Sequence, residues 1–175
     1  MKILDCLKRC ARFIFRGVPV YKIYPNIVEI RYDSLMSGEK ILLLGGTRGI
    51  GYAMAKKFVD CGADVVITGR DEKQLKEKAQ ILGCKYYVQD ISLPNSVDIL
   101  NQIISKFGHI TSLVINAGIS LHESFFFDVT PETFDSQINT NLRGPYFMAQ
   151  AYINYLVNRK LGGGIANFLG NRRNI

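Results

Sequence analysis

From Glu39 onward, short apolar runs alternate with segments of helical period, the pattern of strands wrapped by helices. Residues 41–44 (ILLL) read as strand one and lead into Gly45, Gly46, Gly49 and Gly51. A helix is predicted over residues 52–61, stopped by Gly62. Residues 64–68 (DVVIT) form strand two. Asp71 can cap the next helix, in which Leu75, Ala79 and Leu82 face a core and Gly83 ends the helix. Residues 85–88 form strand three. Pro94 stands near the start of another helix, with Val97, Leu100, Ile104 and Phe107 inward and Gly108 at its end. Residues 112–115 form strand four. Thr130-Pro131-Glu132 opens a longer helical region, with Thr130 as cap and Phe134, Ile138 and Leu142 at i, i+4 and i+8. Pro145 has to bend or break that region locally. Gly162 to Gly164 leads into strand five, residues 165–169. Short apolar strands separated by helices argue an α/β fold: a doubly wound parallel sheet of about five strands, covered on both faces. Its ligand site belongs at the C-terminal edge of the strands.

Residues 1–38 form an appendage to this body, which spans residues 39–175. Ile3, Leu4, Leu7, Ala11, Ile14 and Phe15 recur at helical spacing, with basic residues mostly between them. Residues 17–33, with two prolines and three tyrosines, read as an extended connector. The formal net charge is +7. In the first 22 residues, six basic residues (Lys2, Lys8, Arg9, Arg12, Arg16 and Lys22) stand against Asp5 alone, so most of the excess lies there and the body is near neutral. Such an arm either rests on an anionic membrane surface or packs on its own body or a sister subunit, and we favour the second. Nucleic acid is not the expected partner. No run of about 18 uncharged apolar residues occurs, so no transmembrane helix is predicted. The start lacks the apolar core and cleavage site of a secretory signal. Cys6, Cys10, Cys61 and Cys84 form no CxxC pair, and no zinc signature is present, so reduced thiols, a cytoplasmic setting and no metal are expected.

The glycine cluster carries the first chemical signal. Glycine lets main-chain N–H groups approach a ligand with no Cβ in the way, and the following helix points its positive end at the same spot. A pyrophosphate suits that place. Leu44-Gly45-Gly46-Thr47-Arg48-Gly49-Ile50-Gly51 resembles the TGxxxGIG motif of the short-chain dehydrogenase/reductase family, with Leu44 in place of the leading Thr. Three further motifs follow in family order. Asp90, in Gln89-Asp90-Ile91, stands where the family places an Asp to hold the adenine ring. Asn116-Ala117-Gly118 keeps three residues of NNAG, and Asn141-Leu142-Arg143-Gly144 matches NxxG. The resemblance covers roughly residues 40–169 and implies a Rossmann-like fold. It further implies Gly45, Thr47, Arg48, Gly49, Ile50, Gly51, Asp90, Ile91, Asn116, Ala117 and Gly118 as cofactor-binding residues.

Charge favours NADP over NAD as the cofactor. Binders of NAD usually place an acid at the end of strand two, to hold the ribose 2′-hydroxyl. Here that place is Gly69, followed by Arg70. Arg70 can grip a 2′-phosphate through two charge-assisted contacts, and Arg48 can reach the same group.

The family transfers a hydride between nicotinamide and a small carbonyl or alcohol, using a Tyr as acid/base, a Lys that lowers its pKa, a Ser and an Asn. Of these only the Asn is matched, by Asn141. The Ser position falls on Gly170, and no Tyr-x-x-x-Lys follows strand five before Ile175. Tyr52 and Lys56 have that spacing but stand just behind the glycine turn, where they are ordinary helix neighbours. Tyr155 and Arg159 carry the wrong cation. The chain therefore reads as the cofactor half of such an enzyme, truncated before the Tyr-x-x-x-Lys, inactive alone or kept as a nucleotide-binding scaffold. A sheet ending at strand five leaves an unprotected edge, which favours self-association into a homo-oligomer.

Overall fold

The structure, a computed structural model, describes residues 32–121 and 125–167. The expectations for the arm through residue 31, with Cys6 and Cys10, lie outside the described residues. So do residues 168–175, including Gly170. The chain divides into Met1–Ile30 and Arg31–Ile175, and the sheet belongs to the second unit.

Five parallel strands and their helices alternate through that unit. They are β1 (Lys40–Leu44), α1 (Gly49–Asp60), β2 (Asp64–Gly69), α2 (Glu72–Leu82), β3 (Lys85–Val88), α3 (Ser96–Phe107) and β4 (Ser112–Ile115). Then come α4 (Pro131–Ile138), a π-helical segment (Asn139–Arg143), α5 (Gly144–Arg159) and β5 (Gly164–Asn167). The spatial order is β3-β2-β1-β4-β5. The order reverses beside β1, where Leu44 lies opposite Thr68 on one side and Ile115 on the other. The C-terminal ends of β1, β2 and β4 thus meet at one place, the crevice in which α/β sheets bind ligands.

Alternation along β1 explains why both faces are covered. Leu42 and Leu44 point to one face, joining Val66, Leu113 and Ile115 against Leu100, Ile103, Phe107, Met148 and Tyr152 of α3 and α5. Ile41 and Leu43 point to the other, joining Val65, Ile67 and Val114 against Ala55, Leu75, Ala79 and Leu82 of α1 and α2. Each such side chain contributes about 1.5–3 kcal/mol on burial. Residues 33–38 fold onto the second face: the N–H of Met36 donates to the Cys61 carbonyl at 2.9 Å, and Met36 packs on that core.

The doubly wound parallel sheet matches the expectation, with local differences. Helix α1 begins at Gly49 rather than at residue 52, because the last glycines of the turn already form its first turn. In α3, Ile103 is fully buried while Val97 and Ile104 are only half-buried. The inward face follows Leu100, Ile103 and Phe107, a run of i, i+3 and i+7. Phe134, Ile138 and Leu142 share the spacing of an apolar face, yet all three are exposed. Pro145 does not break the helix. The turn before it widens into the π segment, and Pro145 takes a first-turn position of α5, where a missing N–H costs nothing.

Candidate functional site

The β1–α1 turn is held by its neighbours on both sides. The N–H groups of Gly45 and Gly46 both donate to the Thr68 carbonyl at 3.0 and 3.1 Å. The side-chain amide of Asn116 donates to the Gly45 carbonyl at 3.0 Å, while its main-chain N–H donates to the Leu44 carbonyl at 2.9 Å. Two of the amides expected to face a ligand are therefore spent on the fold. The ladder of α1 begins with Tyr52 N–H donating to the Arg48 carbonyl at 3.2 Å. The first-turn N–H groups of Gly49, Ile50 and Gly51 have no carbonyl ahead of them in the helix.

The four glycines do different work. A Cβ at Gly45 would stand 2.7 Å from the Ala117 Cα, and one at Gly46 2.6 Å from the Ile67 side chain. A Cβ at Gly51 would stand 1.9 Å from the Gly45 carbonyl oxygen. These three allow close packing. Gly49 differs: its φ is +53°, positive like that of Gly45 at +84°, but a Cβ there would meet nothing within 4 Å. Open space over a helix N-terminus with undonated amides is what a phosphate group requires, so the turn fits the cofactor the resemblance implies.

A cleft of about 380 Å³ opens from this turn across the strand ends. Of the predicted residues, Gly45, Thr47, Arg48, Arg70, Asp90, Ile91, Asn116, Ala117 and Gly118 line it. Gly49, Ile50 and Gly51 are not part of the lining, and Ile50 is 61% exposed. Gly69, Asp71, Gln74, Gln89, Ile119 and Thr140 complete the lining. Both arginines are exposed, and neither forms an ion pair among the described residues. The Asp71 carboxylate caps α2: Oδ1 accepts from Gln74 N–H at 3.0 Å and Oδ2 from Gln74 Nε2 at 2.8 Å. Across the cleft, Asp90 Oδ1 accepts from the N–H and hydroxyl of Ser92 at 2.9 and 2.6 Å. Gln89 is buried, donates from Nε2 to the Ser96 carbonyl at 2.8 Å, and leaves its Oε1 without a partner. A Cβ at Gly69 would stand 3.3 Å from Thr47 Cγ2, so Thr47 occupies the space a side chain there would need.

Gln74 and Gln89 lie outside the family motifs. The spacing Asp71-x-x-Gln74 carries a signal, that of a helix cap with an amide three residues on. For Gln89, buried behind Asp90, no such local pattern exists.

Asn141 lies outside this cleft, in the π segment. Its Oδ1 accepts from Ile119 N–H at 2.8 Å and its Nδ2 donates to the Ile119 carbonyl at 2.7 Å. Both polar ends of the side chain therefore pin the segment after β4. Pro145 has no N–H to offer the Asn141 carbonyl four residues earlier. A single π turn at such a place is a frequent mark of functional sites. Asn141 also borders a neighbouring, mainly apolar cavity of about 450 Å³ between α5 and β5.

Tyr52 and Lys56 do not line the cleft. Tyr52 packs on the second core, and Lys56 pairs with Asp60 at 3.0 Å. Tyr155 meets His109 Nδ1 at 3.4 Å, with the Arg159 guanidinium over its ring. Burial pushes the Cys84 thiol up to about 11, which keeps it protonated and unreactive at neutral pH.

The sequence signature of short chain dehydrogenases matches residues 39–169. An uncharacterized oxidoreductase of Staphylococcus epidermidis is 37% identical over 128 residues, which is 71% of this chain and 55% of that protein. An NADP-dependent (R)-specific alcohol dehydrogenase of Lentilactobacillus kefiri is 33% identical over 137 residues, 75% of this chain and 54% of that one. Among solved structures, a metagenomic short-chain oxidoreductase in complex with NADP superposes with a TM-score of 0.71 at 27% identity, covering 81% of this chain and 67% of that one. The chain spans about half the length of the curated relatives it matches.

Proposed function

The chain belongs to the short chain dehydrogenase family, and on that premise we propose that the cleft at the ends of β1, β2 and β4 binds NADP in preference to NAD. The observation that carries this reading is the charge beside β2. Gly69 stands where an acid would hold a 2′-hydroxyl, and Arg70 and Arg48 both line the cleft, exposed and with no ion pair among the described residues. The NADP-dependent alcohol dehydrogenase and the NADP complex among its relatives support the same choice.

In this reading the first-turn amides of α1, at Gly49, Ile50 and Gly51, hold the pyrophosphate, and Gly49 leaves room for it. Gly45, Gly46 and Gly51 let β1, β2, α1 and the segment after β4 come close enough to form the cradle. Asp90, oriented by Ser92, receives the adenine amine, with Ile91 beside it. Thr47, Asn116, Ala117 and Gly118 form the floor. Asn141 fixes the Ile119 backbone at the far wall. When bound, the cofactor supplies a hydride donor or acceptor for a small carbonyl or alcohol.

These 175 residues bind the cofactor without turning over a substrate. Of the family's four reacting groups the sequence matches Asn141 alone. Neither Tyr52 nor Tyr155 lines the cleft, so neither serves there as acid or base. The described body is a cytoplasmic-type nucleotide-binding module in this account, acting as a scaffold or as the cofactor half of a longer enzyme.

Calorimetric titration of NADP⁺ and NAD⁺ into the chain and its Arg70→Asp variant tests the proposal. NADP⁺ is expected to bind more tightly than NAD⁺, by about tenfold for one lost charge-assisted contact, and Arg70→Asp is expected to remove that difference. Equal losses for both coenzymes would overturn the role of Arg70.

A further inference from the structure

We propose that Gln74 is a positioning residue, which holds the Asp71 carboxylate away from Arg70 and so keeps the 2′-phosphate end of the cleft positive. The inference rests on the NADP reading above and extends it to a residue outside the family motifs.

Arg70 and Asp71 are sequence neighbours, both exposed and both on the lining of the cleft. An adjacent carboxylate is the natural competitor for a guanidinium: it can occupy the planar fork that would otherwise grip a phosphate. Here both Asp71 oxygens are taken. Oδ1 accepts from the Gln74 main-chain N–H at 3.0 Å, and Oδ2 from the Gln74 side-chain amide at 2.8 Å. Asp71 pairs with no cation among the described residues, and Arg70 with no carboxylate. The first of the two bonds is an ordinary helix cap that any residue at 74 would provide. The second belongs to the glutamine alone. Gln74 is half-buried, so its side chain has fewer places to go than a free surface amide. Removing it frees Oδ2 to turn toward Arg70, which lowers the affinity for a 2′-phosphate and leaves the rest of the nucleotide untouched.

The test compares adenosine 2′,5′-bisphosphate with 5′-AMP, two probes that differ by the 2′-phosphate, titrated calorimetrically into the full chain. The wild-type chain is expected to prefer the bisphosphate. Gln74→Leu is expected to reduce that preference about fivefold, the worth of one hydrogen bond, with AMP affinity unchanged. Adding Asp71→Asn to Gln74→Leu is expected to restore it, because Asn still caps the helix but carries no charge. Full preference in Gln74→Leu would overturn the inference and leave NADP binding standing. A double variant as weak as the single one would also overturn it, since that is the result of direct contact between Gln74 and the phosphate. Equal weakening of both probes would show a merely structural role for Gln74. A wild-type chain that does not distinguish the probes would overturn the NADP reading and this inference together.

Discussion

At the scale of single residues, the glycines of the β1–α1 turn divide into three that are closely packed and one, Gly49, that faces open space. Gly51→Ala places a methyl 1.9 Å from the Gly45 carbonyl oxygen, so strand and helix must part. We expect a loss of about 3 kcal/mol or more in urea unfolding, at the upper end of overpacking costs. Gly49→Ala meets open space and bears only the strain of its positive φ, about 1 kcal/mol. Similar losses at the two positions would contradict this division of labour. The motif was readable in the sequence as a set, and so were Asp90 and Asn116. Which glycine faces open space was not readable, because that depends on what β2 and β4 bring up against each one. Ala117 and Ile67, which exclude a Cβ at Gly45 and Gly46, are far away in sequence. The same holds for Gln89, whose buried amide is explained only by its contact with Ser96 at the start of α3.

At the scale of elements, two contacts tie α5 and its π segment to the segments flanking β4. Asn141 exchanges two hydrogen bonds with Ile119, and Asn141→Ala is expected to cost about 2 kcal/mol, two net hydrogen bonds. Protease sensitivity of the segment after β4 should rise with it; unchanged stability and cleavage would remove the pinning role. Tyr152 is buried in α5 and donates to the Ile110 carbonyl at 2.8 Å. Burial first, then Tyr155 and Glu39, push its phenol up to about 12. The folded chain therefore holds this proton more tightly than the unfolded one, whose phenol titrates near 10. The resulting stabilisation is complete below about pH 10 and is lost as pH rises through about 12. Tyr152→Phe is expected to flatten the fall in melting temperature across that window, and a parallel profile would contradict the assignment. Strand positions and the caps Asp71 and Thr130 were legible because alternation and capping are local. The inward face of α3 slipped by one residue from Ile104 to Ile103, and the exposed Phe134, Ile138 and Leu142 were not foreseeable. A helical period shows that a face exists, but not whether another element arrives to cover it.

At the scale of the whole molecule, one reversal of strand order decides where chemistry can occur. β1 lies between β2 and β4, so the glycine turn, Arg70 and Asn116 converge although they come from three separate units of chain. That convergence was predictable from the alternation of strands and helices, since parallel strands with crossover helices leave one crevice at their carboxyl ends. The binding of a dinucleotide in that crevice is the claim on which every assignment above depends. It is tested most directly by calorimetry of the full chain and its Gly49→Asp variant with NADP⁺ and NAD⁺, with circular dichroism to check that both remain folded. The wild-type chain should give a saturable heat with NADP⁺, weaker binding of NAD⁺, and Gly49→Asp should give neither, because a carboxylate there crowds and repels the pyrophosphate. No heat with either coenzyme in the wild-type chain, or undiminished binding by a folded Gly49→Asp, would contradict the account.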